Sequence, residues 1–219
     1  MTVSKVLWVA LVALGLGLLA CSTGLAAVTT TGDISDGGTT SSDFYVGYFG
    51  VGTLGINAGS TLTRFSAYIG NNSSSTGTAT VTGVGSTWPN NGYLYVGRYG
   101  SGTLNVQAGG QVSNGYNGIL GGYSGSTGTA TITGTGSMWT NKSTLYIGDY
   151  GNGTLNVQAG GQVSCNSYSY LGYDSSSAGT ATITGAGSTW TNSGSLYIGK
   201  NGSGKLMVAD GGLVTTGTL

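Results

Sequence analysis

Few residues in this chain can carry out chemistry. It has no histidine and no glutamate, and its six basic groups balance six aspartates. One post-strand position holds Arg98, then Asp149, then Lys200, each 51 residues after the last. A carboxylate with a neighbouring cation is the one constellation here that a polysaccharide lyase could use. On strand spacing, however, these residues sit two coils apart, about 10 Å. A catalytic column would not change sign freely, so they read as solvated surface charges. No two carboxylates are placed for glycoside hydrolysis. Asp149 and Asp174 fall short of the six to eight oxygens calcium wants, and no His, Glu or Cys cluster offers a transition-metal site. The recurring GxGS at Gly83, Gly134 and Gly185 is followed by no helix, so it reads as a corner and not a phosphate loop. No catalytic residue, cofactor or metal ligand is expected. Cys165 stands where the preceding large repeat has Asn114, and no nearby cation activates it.

Aromatic residues are the more informative set. Tyr45, Tyr68, Tyr95, Tyr146, Tyr170 and Tyr197 recur at one strand position, with Ile119 filling the gap. They are expected to form an outward column, either an aromatic ladder that stiffens the molecule or a platform for sugar rings or a partner protein. Trp88, Trp139 and Trp190 recur at alternate periods before Asn-rich corners, where each indole N–H is expected to find a carbonyl. Thr78, Thr80, Thr129, Thr131, Thr180 and Thr182 form Thr-x-Thr sets that suggest an ice-binding surface. Asn105 and Asn156 interrupt that array and are expected to form an amide ladder.

The elements that position these columns follow from a repeat. GTLNVQAGGQVS occurs at Gly102 and, letter for letter, at Gly153; GTATVTGVGSTW, GTATITGTGSMW and GTATITGAGSTW start at Gly77, Gly128 and Gly179. Each 51-residue unit divides into two similar halves of 25 or 26 residues. Within a half, short segments alternate apolar and polar residues, as in TATIT at 129–133, and Gly, Asn and Ser punctuate them. Three short strands per period predict an all-β, right-handed parallel β-helix of about seven to eight rungs, on the order of 35 Å long. A β-propeller is the alternative fold, but its antiparallel blades would not make successive halves match in the same direction. The expected organisation is a leader over 1–27, a degenerate first rung over 28–51, and repeats over 52–219 that break off part-way through a rung.

The leader has Lys5 before an apolar run from Val6 to Ala20. That is short for a membrane span and usual for a secretory signal, although a short anchor is the alternative. Leu18 to Cys21 also fits a lipoprotein box, with Cys21 the lipidated residue; cleavage after Ala26 or Ala27 competes and is preferred. Near-zero charge leaves no basic patch for nucleic acid.

The segment GTATITGAGSTWTNSGSLYIGKNGSGKL, with GTLNVQAGG, resembles the repeat associated with type V secretion (autotransporters) and PEP-CTERM proteins, from about Gly52 to Leu213. That resemblance implies a β-helical passenger in a bacterium, exported to the outer-membrane or extracellular surface, with an adhesin-like role. The family's C-terminal β-barrel or sorting tail is not within this sequence. The expected function is therefore a non-catalytic surface stalk that shows Tyr, Thr and Asn columns to polysaccharide or cell surfaces. Self-association through open β-helix ends is a further expectation. Membrane contact is expected only through the N-terminus or a missing barrel. A lyase-like enzyme and an ice-binding protein are the alternatives.

Overall fold

The computed structural model describes residues 27–218. The leader, apart from Ala27, and Cys21 lie outside the described residues. From the N-terminus run β1 (Ala27–Gly32), β2 (Ile34–Asp36), β3 (Phe44–Val46), β4 (Val51–Asn57), β5 (Ala67–Ile69), β6 (Thr76–Thr82), β7 (Thr87–Asn90) and β8 (Leu94–Val96). The pattern of seven, four and three residues then repeats. It gives β9 (Ser101–Gln107), β10 (Gln111–Asn114), β11 (Gly118–Leu120), β12 (Thr127–Thr133), β13 (Met138–Asn141) and β14 (Leu145–Ile147). After these come β15 (Asn152–Gln158), β16 (Gln162–Cys165), β17 (Ser169–Leu171), β18 (Ala178–Thr184), β19 (Thr189–Ile198), β20 (Ser203–Ala209) and β21 (Leu213–Thr218). Like strands stack in parallel and in register, so the chain is a β-solenoid of about seven turns with three faces. The long strands form face A and the four-residue strands face C. The three-residue strands form face B, and β19 runs through the corner between C and B.

Residues 27–36, ahead of the first parallel strand, run the other way. β1 pairs antiparallel with β4, from Ala27↔Asn57 to Gly32↔Gly52, and β2 pairs antiparallel with β3. Where a degenerate rung was expected from residue 28, parallel stacking starts at β3, and β1 and β2 cover the exposed edges of faces A and B. Arg64 fastens this cover by a two-pronged contact with Asp36 (Nε–Oδ1 2.8 Å, Nη2–Oδ2 2.5 Å). At the opposite end, Val208 and Ile198 belong to columns that are otherwise buried, yet are 45% and 44% exposed.

The doubling of the period has a packing cause. On the inner side of face A, Leu54, Ala79, Leu104, Ala130, Leu155 and Ala181 succeed one another. On the inner side of face C the succession is Leu62, Trp88, Val112, Trp139, Val163 and Trp190. Each alanine thus shares a rung with a tryptophan, and from Leu104 to Val163 each leucine shares one with a valine. All of these residues are buried in one core. Small-with-large and medium-with-medium rungs fill a similar volume, so the core repeats every two rungs, or 51 residues.

Two kinds of glycine hold the path. Corner glycines such as Gly134 and Gly136 have φ of 88° and 83°, as the GxGS reading requires. Those that open each long strand are needed for space. A Cβ on Gly128 would stand 2.0 Å from the Val96 carbonyl oxygen and 2.4 Å from the Gly121 nitrogen.

The inner corner between faces C and B carries an amide column: Asn90, Asn114, Asn141, then Cys165, then Asn192. Asn114 Nδ2 donates to Asn141 Oδ1 and to the Tyr116 carbonyl (2.6 Å). The amide ladder expected at Asn105 and Asn156 does not form, because Thr131 stands between them. Trp139 finds its acceptor on this column and not on a backbone carbonyl: its Nε1 donates to Asn114 Oδ1 at 2.8 Å. Trp88 and Trp190 are fully buried with no acceptor for Nε1. For Trp190 the cause is local, since the residue equivalent to Asn114 is Cys165, whose thiol is spent on the Ser143 and Tyr168 carbonyls (3.0 and 3.3 Å). An unmet buried donor costs about 1–3 kcal/mol. Cys165→Asn is therefore expected to stabilise the protein by about 1–2 kcal/mol, raising Tm by about 2–8 °C. A lower Tm in a thermal melt would show that the column cannot take a further amide.

Candidate functional site

All fourteen tyrosines of the chain lie on face B strands or on the corners that flank them. The strand positions stack as two ladders. Tyr45, Tyr68 and Tyr95 have ring centroids 4.9 and 5.5 Å apart, with planes within 16°. Tyr146, Tyr170 and Tyr197 follow at 5.2 and 5.0 Å. Register forces this stacking, because each ring sits on the same strand position one rung above the last. Ile119 separates the ladders and is 2% exposed. The column is more covered than an outward row, since Tyr45, Tyr68, Tyr95, Tyr146 and Tyr170 are half-buried and Tyr197 is 38% exposed.

The cover comes from tyrosines that the strand pattern alone did not reveal. Tyr48 packs edge-on against Tyr45, and Tyr173 against Tyr146 and Tyr170. Tyr99 and Tyr123 stack at 4.2 Å, while Tyr93 meets Tyr116 at 5.2 Å. The available signal was their constant nearness to the ladder position, within four residues on either side, including Tyr116 and Tyr123 around Ile119. Tyr116, Tyr150 and Tyr168 are 46–48% exposed, which makes the face a broad, wettable aromatic surface. Burial pushes the Tyr95 and Tyr146 hydroxyls up to about 12, helped by Tyr123 and Asp149 respectively, so both rings stay neutral hydrogen-bonding groups.

The charged column does not assemble as a lyase would need. Arg98 lies over Tyr68, Tyr95 and Tyr99, 4.8–5.7 Å from their centroids, and donates to Asn71 Oδ1 at 3.1 Å. Lys200 lies over Tyr170, Tyr173 and Tyr197 at 4.8, 4.9 and 5.7 Å. Asp149 pairs with neither: among the described residues the ion pair is Arg64–Asp36. Arg98 and Lys200 are thus cations seated on rings and not the free solvated charges the spacing suggested. Among the described residues no three His, Cys, Asp or Glu gather where a metal would bind.

Burial, and then the charge of Asp174, push the Asp149 carboxyl up from 3.8 to about 6. Asp174 itself is held below its ordinary value by donors from Ser176. Because the folded-state value of Asp149 is raised, its contribution favours folding at low pH and is lost as pH rises from about 4 to 6. Full desolvation would make that loss about 3 kcal/mol; solvent at the exposed edge reduces it to about 1 kcal/mol. Asp149→Asn is accordingly expected to exceed the parent in stability by about 1 kcal/mol above pH 6 and to match it below pH 4. Urea melts across that range check it, and a gap that stays constant with pH would contradict the assignment to Asp149.

Face A carries the threonines. Thr53, Thr78, Thr103, Thr129, Thr154 and Thr180 form an unbroken column, longer than the Thr-x-Thr sets indicated. In the adjacent outward column, threonine alternates with Asn105 and Asn156 as expected.

Taken together, fold and site define a β-solenoid whose tyrosines share one face. No protein-family model matches the chain, and no solved structure matches it. Two curated proteins are similar over part of it. A 109-residue stretch is 34% identical to the uncharacterized lipoprotein YdeK of Escherichia coli (strain K12), covering 47% of this chain and 8% of that protein. A 97-residue stretch is 34% identical to the adhesin BmaC autotransporter of Brucella suis biovar 1 (strain 1330), covering 43% of this chain and 3% of that protein. The chain therefore spans under a tenth of either relative.

Proposed function

We propose that this chain is a non-catalytic, exported surface-repeat segment, of the kind found in autotransporter passengers, that contacts polysaccharide through its tyrosine face. The observation that carries the reading is the confinement of all fourteen tyrosines to one face. Internal stiffening accounts for the ladder but not for the flanking rings left half-exposed. Tyrosine suits this role because an apolar ring stacks on the C–H face of a sugar while its hydroxyl bonds the rim. The two relatives, one named a lipoprotein and one an adhesin autotransporter, support a place at the bacterial outer-membrane or extracellular surface. The PEP-CTERM side of the repeat resemblance is a finer affiliation and stays part of this proposal. A lyase-like role has less support, since Asp149 lacks a paired cation. An ice-binding role draws on the threonine column, but the alternation beside it breaks the regular array.

The test is affinity electrophoresis through gels that contain bacterial or host polysaccharides. The parent is expected to be retarded in at least one gel. A variant carrying Tyr95→Ala, Tyr146→Ala and Tyr197→Ala is expected to migrate freely while keeping its β-rich circular dichroism. Equal retardation of parent and variant would remove the tyrosine face from the reading.

A further inference from the structure

Face B seats a cation on tyrosine rings at two places, and at the equivalent place between them it holds a bare carboxylate. Arg98, Asp149 and Lys200 follow the same Val/Ile-Gly step at the end of a short strand. The backbone nitrogens of Arg98 and Asp149 bond equivalent carbonyls, Gly70 and Gly121. Around Lys200 the ammonium has three tyrosine rings within 5.7 Å. Around Asp149 part of the ring set remains: Tyr146 and the exposed Tyr150 occupy the places that Tyr95 and Tyr99 hold around Arg98, while Ile119 stands where Tyr68 lies under Arg98 and Tyr170 under Lys200. The cation is what is missing. The Asp149 carboxylate accepts no hydrogen bond and makes no ion pair among the described residues. The adjacent position one rung back is Gly122, which has no side chain to offer a donor, and Tyr173 one rung on is packed edge-on against Tyr146 and Tyr170.

We propose that this place is a subsite for one amino-sugar residue, its ammonium on the Asp149 carboxylate and the apolar face of its ring on Tyr146 and Tyr150. The chemistry of the occupant follows from the molecule's own pattern. Tyrosine faces here already hold an ammonium and a guanidinium, and a half-buried carboxylate gains most from a charged donor. A neutral sugar would satisfy the rings but leave the carboxylate without a counter-charge. The proposal rests on the reading that face B meets polysaccharide, and adds to it the class of sugar and the residue that selects it.

Calorimetry on the full chain at neutral pH tests this with three probes: a glucosamine hexamer, its N-acetylated counterpart, and hexalysine. The parent is expected to bind the glucosamine hexamer about tenfold more tightly than the acetylated one, the size of effect one charge-assisted contact supplies. Asp149→Asn is expected to abolish that difference. The variant has the same shape and loses no stability at this pH, so misfolding would not mimic the result. If Asp149→Asn binds the glucosamine hexamer as tightly as the parent, this inference falls while polysaccharide contact stands. If the parent binds neither hexamer, the amino-sugar assignment falls, and retardation in the polysaccharide gels decides the broader reading separately. If hexalysine binds as tightly as the glucosamine hexamer and loses affinity in Asp149→Asn, the occupant is a peptide cation and the sugar assignment is overturned.

Discussion

Gly128→Ala is expected to destabilise the protein by about 3–5 kcal/mol, lowering Tm on the order of 10 °C. One added methyl does this because of what surrounds it. Its nearest neighbours would be the Val96 carbonyl oxygen at 2.0 Å and the Gly121 nitrogen at 2.4 Å, both backbone atoms of stacked rungs. Neither can swing aside as a side chain can, so relief requires parting the strands on two faces. Gly125→Ala is the matching control. It lies in the loop just before β12, with φ of 80°, and nothing lies within 4 Å of a Cβ built on it. Only the positive φ is then paid for, about 1 kcal/mol. Thermal melts of the two variants separate close packing from backbone conformation, and equal losses would refute the assignment.

The second large effect concerns the paired volumes of the core. Trp139→Val alone should cost about 3–4 kcal/mol, since it empties a buried indole site and strands the Asn114 Oδ1 acceptor. Ala130→Leu alone overpacks the same rung and should cost about 1–3 kcal/mol. Combined, they recreate the Leu and Val of neighbouring rungs, Leu104 with Val112 and Leu155 with Val163. The double variant should then lie within about 1–2 kcal/mol of the parent, a strongly favourable coupling. Simple addition of the two costs, read from denaturant melts, would show that the 51-residue period has a cause other than core volume.

These two cases show how far the repeat could be read before folding. Period, strand positions and GxGS corners follow from alternation and spacing, because a solenoid stacks like on like. The alternation of Ala with Leu and of Val with Trp was equally plain, but its meaning depends on which columns share the interior of one rung, and that is a property of the closed coil. The direction of β1 and β2 was not legible, since alternating residues suit parallel and antiparallel pairing alike. For the site, the six ladder tyrosines were found because strand register repeats without error. The eight flanking tyrosines were missed because corners vary by a residue or two. Asp149 was seen, but its isolation was not. Strand spacing gives the distance between rungs and says nothing of Arg98 and Lys200 lying down on the rings beside them.

Hydroxyl-radical footprinting tests the central claim most directly, because it reports each face separately. The protein is oxidised alone and with a polysaccharide that retards it in gels, and the modified residues are mapped by mass spectrometry. Protection of Tyr116, Tyr150, Tyr168 and Tyr197 on face B, with Met207 on face A oxidised as before, is the predicted result. Protection of Met207 with unchanged tyrosines would place the contact on face A and contradict the account.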